Sequence, residues 1–107
     1  MNKENDEKVL AALADSNRRL LLERLAAYGE ATATQLATQV TISRQAVVKH
    51  LSVLEEARVV TGKRVGREVR YTLSTQQLES TAQWMSNLAT DWERKLKMIK
   101  QKAETEK

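Results

Sequence analysis

The chain has 107 residues with no Cys, no Pro, no Phe and one His, and its 18 Lys/Arg against 14 Asp/Glu give a net charge of +4. That length fits one domain with one core. The missing Cys excludes disulfides, thiolate metal ligands and thiol nucleophiles, and a single His leaves no His-rich zinc site within one chain. The apolar runs are too short to span a membrane, and the polar, acidic stretch 1–8 is not a signal peptide.

Residues 1–5 read as disordered. Val9, Leu10 and Leu13 recur at helical spacing, with Asn5 as a possible N-cap, and predict a short helix over roughly 6–14. Asp15 or Ser16 caps the next helix, whose apolar face is Leu21, Leu25 and Tyr28 and which Gly29 stops. Thr32-Ala-Thr-Gln35 has the form of a capping box, and the short helix it opens buries Ala33, Leu36, Ala37 and Val40. Only Thr41 and Ile42 then stand before Ser43, the N-cap of a fourth helix over about 44–57 that buries Val47, Leu51 and Leu54.

The period then changes from helix to strand. Val59-Val-Thr-Gly-Lys-Arg64 is β-rich, and in Glu68-Val-Arg-Tyr-Thr-Leu73 the residues Val69, Tyr71 and Leu73 alternate with Glu68, Arg70 and Thr72. Gly66 lies between them, so the pair reads as a tight hairpin. Ser74 or Thr75 caps a last helix that runs to about residue 103. Its seam, Leu78, Ala82, Met85, Ala89, Trp92, Leu96, Ile99 and Ala103, is spaced alternately by four and three, a heptad pattern. Such a helix is roughly 45 Å long, whereas a compact domain of this size has a radius of gyration of about 13 Å. Part of the seam folds over its own core; the rest, with Trp92 in it, calls for a second chain to cover it. The expected partner is a second copy.

The charge is not spread evenly. Residues 1–57 hold seven bases and eight acids, residues 73–107 six bases and five acids, and residues 58–72 five bases against Glu68 alone. The hairpin therefore carries an excess equal to that of the whole chain, the footprint of a polyanion partner; a soluble basic hairpin without a partner is the plain alternative.

Two helices joined by a short turn and followed by a basic hairpin make a winged helix-turn-helix, mainly α with about five helices and a two-stranded wing. The short turn holds the second helix across the first, so that its N-terminal end projects into a DNA major groove. Ser43, Arg44, Gln45, Val48 and Lys49 lie off the Val47/Leu51/Leu54 face and would project there. Arg suits the O6/N7 edge of guanine and Gln the N6/N7 edge of adenine, so Arg44 and Gln45 are the candidate base readers and Ser43 and Lys49 candidate phosphate contacts. Lys63, Arg64, Arg67 and Arg70 are the wing candidates, with Arg64 and Arg67 lying along the backbone or entering the minor groove.

From about residue 10 to 100 the chain resembles the ArsR-type winged-helix transcriptional repressors. The resemblance is carried by Leu13-Ala-Asp-Ser-Asn-Arg-Arg19, by Ile42-Ser-Arg-Gln-Ala-Val-Val-Lys-His-Leu51, by Leu54-Glu-Glu-Ala57, and by the wing Gly62-Lys-Arg-Val-Gly-Arg-Glu-Val-Arg-Tyr-Thr-Leu73. It implies a prokaryotic, cytoplasmic, homodimeric repressor of duplex DNA, with the first and last helices as the dimer interface: Val9, Leu13, Met85, Leu88, Trp92, Leu96 and Ile99. Three departures stand out. Thr32 and Thr34 lie where many members have a Cys-x-Cys metal sensor, Asp91 and Glu93 on the last helix have no His beside them, and Arg58 holds the place of a Gly after the recognition helix. The resemblance thus implies DNA binding and dimerisation but no metal and no cofactor; a small-molecule effector is left unknown.

Other readings of single residues are plainer. His50 is a structural, hydrogen-bonded His rather than a ligand, Trp84 and Trp92 are packing residues, and Asp91 and Glu93 sit about 200° apart on a helix and do not converge. Lys95, Lys97, Lys100 and Lys102 are a solvated face, or a supporting phosphate contact. Without Cys, a His dyad or a Gly-rich phosphate loop the chain does not read as an enzyme. The chief alternative to the DNA-binding repressor over 6–104 is a winged helix used for protein contact alone.

Overall fold

The computed structural model describes residues 3–105 as five helices and a three-stranded antiparallel sheet. In chain order they are α1 (Lys3–Leu13), α2 (Ser16–Tyr28), β1 (Ala31–Thr32), α3 (Ala33–Ala37), α4 (Arg44–Glu56), β2 (Val60–Val65), β3 (Glu68–Leu73) and α5 (Thr75–Thr105). This is the expected winged helix-turn-helix, with one strand more than expected. β1 pairs with β3 through only Ala31↔Tyr71 and Thr32↔Arg70, which makes the order β1-β3-β2. A two-residue strand has no alternation to detect in sequence.

Small polar side chains start α2, α3 and α4, where the free N–H groups of a first turn need acceptors. The Asp15 carboxylate accepts from the backbone N–H of Asn17 at 2.8 Å and of Arg18 at 3.2 Å. The Arg18 backbone bond is foremost in holding the Asp15 carboxyl below its ordinary pKa, with the neighbouring guanidinium adding to it against desolvation, so the cap is charged at neutral pH. Thr32 and Gln35 close the capping box reciprocally, at 3.1 and 2.9 Å. Ser43 Oγ accepts from the Ala46 N–H at 3.1 Å. Gly29 ends α2 at φ 81, a conformation that suits Gly.

The core gathers one face of each element. Leu21, Leu25, Leu36, Val47, Leu51, Leu54 and Val59 are fully buried, with Val9 from α1 among them. Val69 and Leu73 are half-buried against this core and Tyr71 is buried in it, as the alternation of β3 requires. Gly62 lets β2 come close to α4, because a Cβ there would stand 3.0 Å from Tyr71 Cε1 and 3.3 Å from Glu55 Oε2.

Several expectations are corrected. Residues 1 and 2, in the stretch read as disordered, lie outside the described residues, but residues 3–5 are the first turn of α1. Asn5 is not an N-cap: it is buried inside that helix, and its Nδ2 donates to the Ala57 carbonyl at 3.2 Å. Tyr28 is half exposed rather than on the buried face of α2, where Leu22 packs instead. The turn between α3 and α4 spans residues 38–43, longer than the two residues expected, because α3 ends at Ala37. Val9, expected in a dimer interface, is instead wholly buried in the core of the chain itself, and Leu13 is half-buried against that same core.

The exit of α4 closes with two hydrogen bonds, Arg58 N–H to Glu55 O at 2.9 Å and Val59 N–H to Leu54 O at 3.1 Å. These are the paired bonds of a Schellman motif, with buried Leu54 and Val59 at its hydrophobic ends. The motif requires a left-handed residue between them, and Arg58 takes it at φ 64. A Cβ in that conformation is strained. Arg58→Gly is therefore expected to raise the unfolding free energy by about 0.5–1 kcal/mol, after allowing for the freer unfolded chain. The check is a higher urea midpoint at unchanged slope; a lowered midpoint would contradict strain at Arg58.

α5 leaves the domain. Its 31 residues make a rod about 46 Å long, and the molecule measures 71 × 28 × 21 Å with a radius of gyration of 19.0 Å. Leu78 packs against the core, and buried Thr81 donates through Oγ1 to Asp6 Oδ1 at 2.8 Å, tying α5 to α1. Beyond Thr81 no described residue of α5 is buried.

Candidate nucleic-acid interface

α4 is positioned from both ends. Val47, Leu51 and Leu54 anchor its inner face, the Schellman exit fixes its C-terminus, and Ser43 fixes its start. Four of the expected contact residues, Ser43, Arg44, Gln45 and Lys49, are exposed on the first turns of this helix. Val48 differs from expectation: it is half-buried and packs against the core, since it stands next to Val47 on the edge of the inner face. The Ser43 hydroxyl oxygen is used by its own helix, while its hydrogen remains available to an acceptor.

The wing is a two-residue hairpin. The register Val65↔Glu68 leaves Gly66 and Arg67 at the tip, and Gly66 takes φ 64 at the first tip position, where tight hairpins call for Gly. Arg64 pairs opposite Val69 and Lys63 opposite Arg70, so successive bases of β2 point to opposite faces of the ribbon. Lys63, Arg64 and Arg67 are exposed. Arg70 is exposed as well but engaged: its Nη1 lies 3.2 Å from Glu30 Oε1 and its Nε 3.7 Å from Glu68 Oε2. Its charge is offset by two carboxylates, whereas the other three wing bases have no ion pair among the described residues.

α4 and the wing share one groove. Thr32, Thr34, Arg44, Val48, Arg67, Glu68 and Tyr71 line it, in a volume of about 380 Å³. The recognition-helix arginine and the tip arginine thus border the same cleft. Arg44 Nε donates to Thr34 Oγ1 at 3.0 Å. Burial raises the Tyr71 hydroxyl pKa, foremost over the nearby Glu55 charge, so it is a neutral wall of this cleft.

Sequence reasoning missed the residues that hold α4 against α1. Arg18 Nε donates to the Ala12 carbonyl at 2.7 Å and Nη2 to the Ala11 carbonyl at 3.3 Å, while Nη1 lies 3.3 Å from His50 Nδ1 on α4. Arg19 Nη1 donates to the Leu13 carbonyl at 2.6 Å. Two guanidinium groups thus satisfy the free carbonyls at the end of α1, where its dipole is negative. A guanidinium cannot accept, so His50 Nδ1 is the acceptor and the ring proton sits on Nε2. His50 is thereby the structural, hydrogen-bonded residue expected. The available signal was a pair of Arg residues just past a helix end; their partners were not readable.

Thr32 and Thr34, in the place of a possible thiol pair, have other work. Thr32 is the α3 N-cap and Thr34 holds Arg44. No helix among the described residues is long and apolar enough to cross a membrane.

Comparison with known proteins agrees with this geometry. Residues 13–63 match a helix-turn-helix domain family. The chain is 44% identical over 69 residues to the HTH-type transcriptional regulator YuzN of Bacillus subtilis, covering 59% of this chain and 75% of that protein. It is 34% identical over 79 residues to the transcriptional repressor SdpR of Bacillus subtilis, covering 74% and 87%. An ArsR-like transcriptional regulator from Rhodococcus sp. RHA1 has a solved structure that superposes with a TM-score of 0.82 at 37% identity, covering 92% of each chain.

Proposed function

The chain belongs to the ArsR-like helix-turn-helix transcriptional regulators, and from that premise we propose that it is a homodimeric repressor that occupies an inverted-repeat operator without a metal. The observation that carries the reading is the cleft that Arg44 of α4 and Arg67 of the wing tip line together. Ser43, Gln45 and Lys49 stand exposed on the same first turns of α4 as Arg44, and Lys63 and Arg64 stand exposed on β2 just before the tip. Arg44 and Gln45 read base edges; Ser43, Lys49 and the wing bases contact phosphate. Arg70 supports the wing through Glu30 and Glu68 and contributes least to the DNA field.

The second copy lies along α5. Met85, Leu88, Trp92, Leu96 and Ile99 are 46–60% exposed and form a stripe continuous with Leu78, which packs on the core. A stripe of that size in water calls for a cover, and a two-fold pairing of α5 would set two recognition helices about one DNA turn apart. Metal independence rests on the donor chemistry: the sensing positions carry hydroxyls, one capping a helix and the other bonded to Arg44. The protein acts without catalysis, on the chromosome of a prokaryotic cytoplasm, with residues 6–104 as the functional domain.

The test is the salt dependence of binding. With about 6–10 phosphate contacts the dimer loses about 10³–10⁵ in affinity between 50 and 200 mM salt. Arg64→Ala with Arg67→Ala removes two bases from each protomer. It is expected to weaken all duplexes alike and to make the slope of log K against log salt shallower by about 3–4. A loss confined to particular base pairs would contradict the phosphate role. Failure of the native protein to bind random duplex at low salt would instead mark the wing as a protein-contact surface.

A further inference from the structure

We infer that Thr34 is a specificity-determining positioning residue, which holds the Arg44 guanidinium by its Nε so that both terminal nitrogens face a base edge together. The inference rests on the reading of Arg44 as a base contact.

Arg44 opens α4 as an exposed side chain with many rotamers. A guanidinium has two edges able to grip a flat acceptor pair, one using Nε and one terminal nitrogen, the other using both terminal nitrogens. The 3.0 Å bond from Nε to Thr34 Oγ1 occupies the first edge and leaves the second. Among the described residues the terminal nitrogens of Arg44 have neither a hydrogen bond nor an ion pair. The acidic side chain of the shared groove, Glu68, is paired with Arg70 at 3.7 Å. Arg44 is thus held by a neutral hydroxyl, which orders it without offsetting its charge.

Thr34 itself is rigidly placed. It is the second residue of α3, a helix started by the Thr32/Gln35 box and anchored by buried Ala33 and Leu36. Its hydroxyl is exposed beside the cleft. With Nε engaged, a bidentate contact with O6 and N7 of guanine uses both terminal nitrogens, with their N–H groups in one plane. An Arg already fixed through Nε loses less freedom on forming that contact than one swinging free.

Selection from a library of randomised duplexes tests this, with base preference read at each position for the native protein, Thr34→Val, Thr34→Ser and Arg44→Ala. The native protein should show a symmetric pair of guanine preferences that Arg44→Ala abolishes. Thr34→Val, similar in shape but without the hydroxyl, should reduce the same preference by about 3- to 10-fold, the scale of ordering one rotamer-rich side chain. Preferences elsewhere, random-duplex binding at low salt and the thermal midpoint should be unchanged, and Thr34→Ser should restore the native value. If Arg44→Ala abolishes the preference while Thr34→Val retains it, the role of Thr34 is refuted and that of Arg44 stands. If Arg44→Ala leaves every preference in place, the base-reading assignment itself fails. A Thr34→Val protein weakened equally on all duplexes would make Thr34 a structural residue and overturn the inference.

Discussion

Trp92→Glu is expected to break the proposed pairing of α5, leaving a monomer, and to lower operator affinity by about 10²–10⁴. Trp92 lies in the middle of the α5 stripe and is 60% exposed in one protomer, so the folded chain tolerates a charge there. In the paired helices the same charge would be desolvated without a partner, at about 3–5 kcal/mol, and two-fold symmetry places it twice. Each 1.4 kcal/mol is a tenfold loss, so the dimer dissociation constant rises by at least two powers of ten. The DNA effect follows from valency. A dimer binds its second half-site as an intramolecular event, worth about 10²–10⁴ in apparent affinity, and a monomer forfeits this without losing any contact in α4 or the wing. Sedimentation measures the first effect and a gel shift on a two-half-site duplex the second. A Trp92→Glu protein that sediments as a dimer and binds with native affinity would place the interface elsewhere. A partial loss of helical ellipticity should accompany dissociation, because the projecting part of α5, without a packing face, is marginal as an isolated helix.

Arg18→Ala is expected to destabilise the fold by about 2–4 kcal/mol. One side chain joins the end of α1, through the Ala11 and Ala12 carbonyls, to His50 on the recognition helix. It also lies 3.9 Å from the Asp15 cap. Hydrogen bonds to charged groups contribute about 1.5–3 kcal/mol, and orphaned carbonyls near the core add a desolvation cost. For a domain whose whole stability is about 5–15 kcal/mol this is a large share, and it should lower Tm by roughly 10–20 °C. Arg18→Lys should recover only part of the loss, since one ammonium cannot reach two carbonyls and an imidazole along separate directions. Thermal melts followed by circular dichroism decide it; an Arg18→Ala midpoint within a few degrees of native would remove Arg18 from the α1–α4 connection.

The features legible in the sequence were those whose cause lies within a few residues. Thr32-Ala-Thr-Gln35 specifies its own capping box because the bonding groups are three residues apart. Val47, Leu51 and Leu54 declare a buried face because helical geometry alone aligns them. The alternation of β3 and the Gly66 tip follow from strand and turn geometry in the same way. At Arg58 the resemblance marked only the place of a Gly; that Arg58 itself takes the left-handed conformation there was not legible.

The candidate site divides along the same line. That Ser43, Arg44, Gln45 and Lys49 share the exposed start of one helix is local. That Arg44 bonds Thr34, that Arg70 turns to Glu30 rather than standing free, and that Val9 closes a core instead of a dimer seam are not. Each depends on which elements the fold brings side by side. Asn5 shows the reversal most sharply: read as a possible N-cap at the end of a disordered stretch, it lies inside α1 and bonds to Ala57, fifty-two residues away.

The sequence by itself determined the starts of α2, α3 and α4, the buried face of α4, the basic wing and the heptad spacing, because propensity, capping and period act over one or two turns of chain. Only the tertiary structure decided which charges are free to meet a polyanion and which are already paired. It alone showed that the seam leaves the core after Thr81 and that the arginine at the head of α4 is held by a hydroxyl from α3. A long flexible side chain finds its partner through space, and no spacing along the chain encodes that choice.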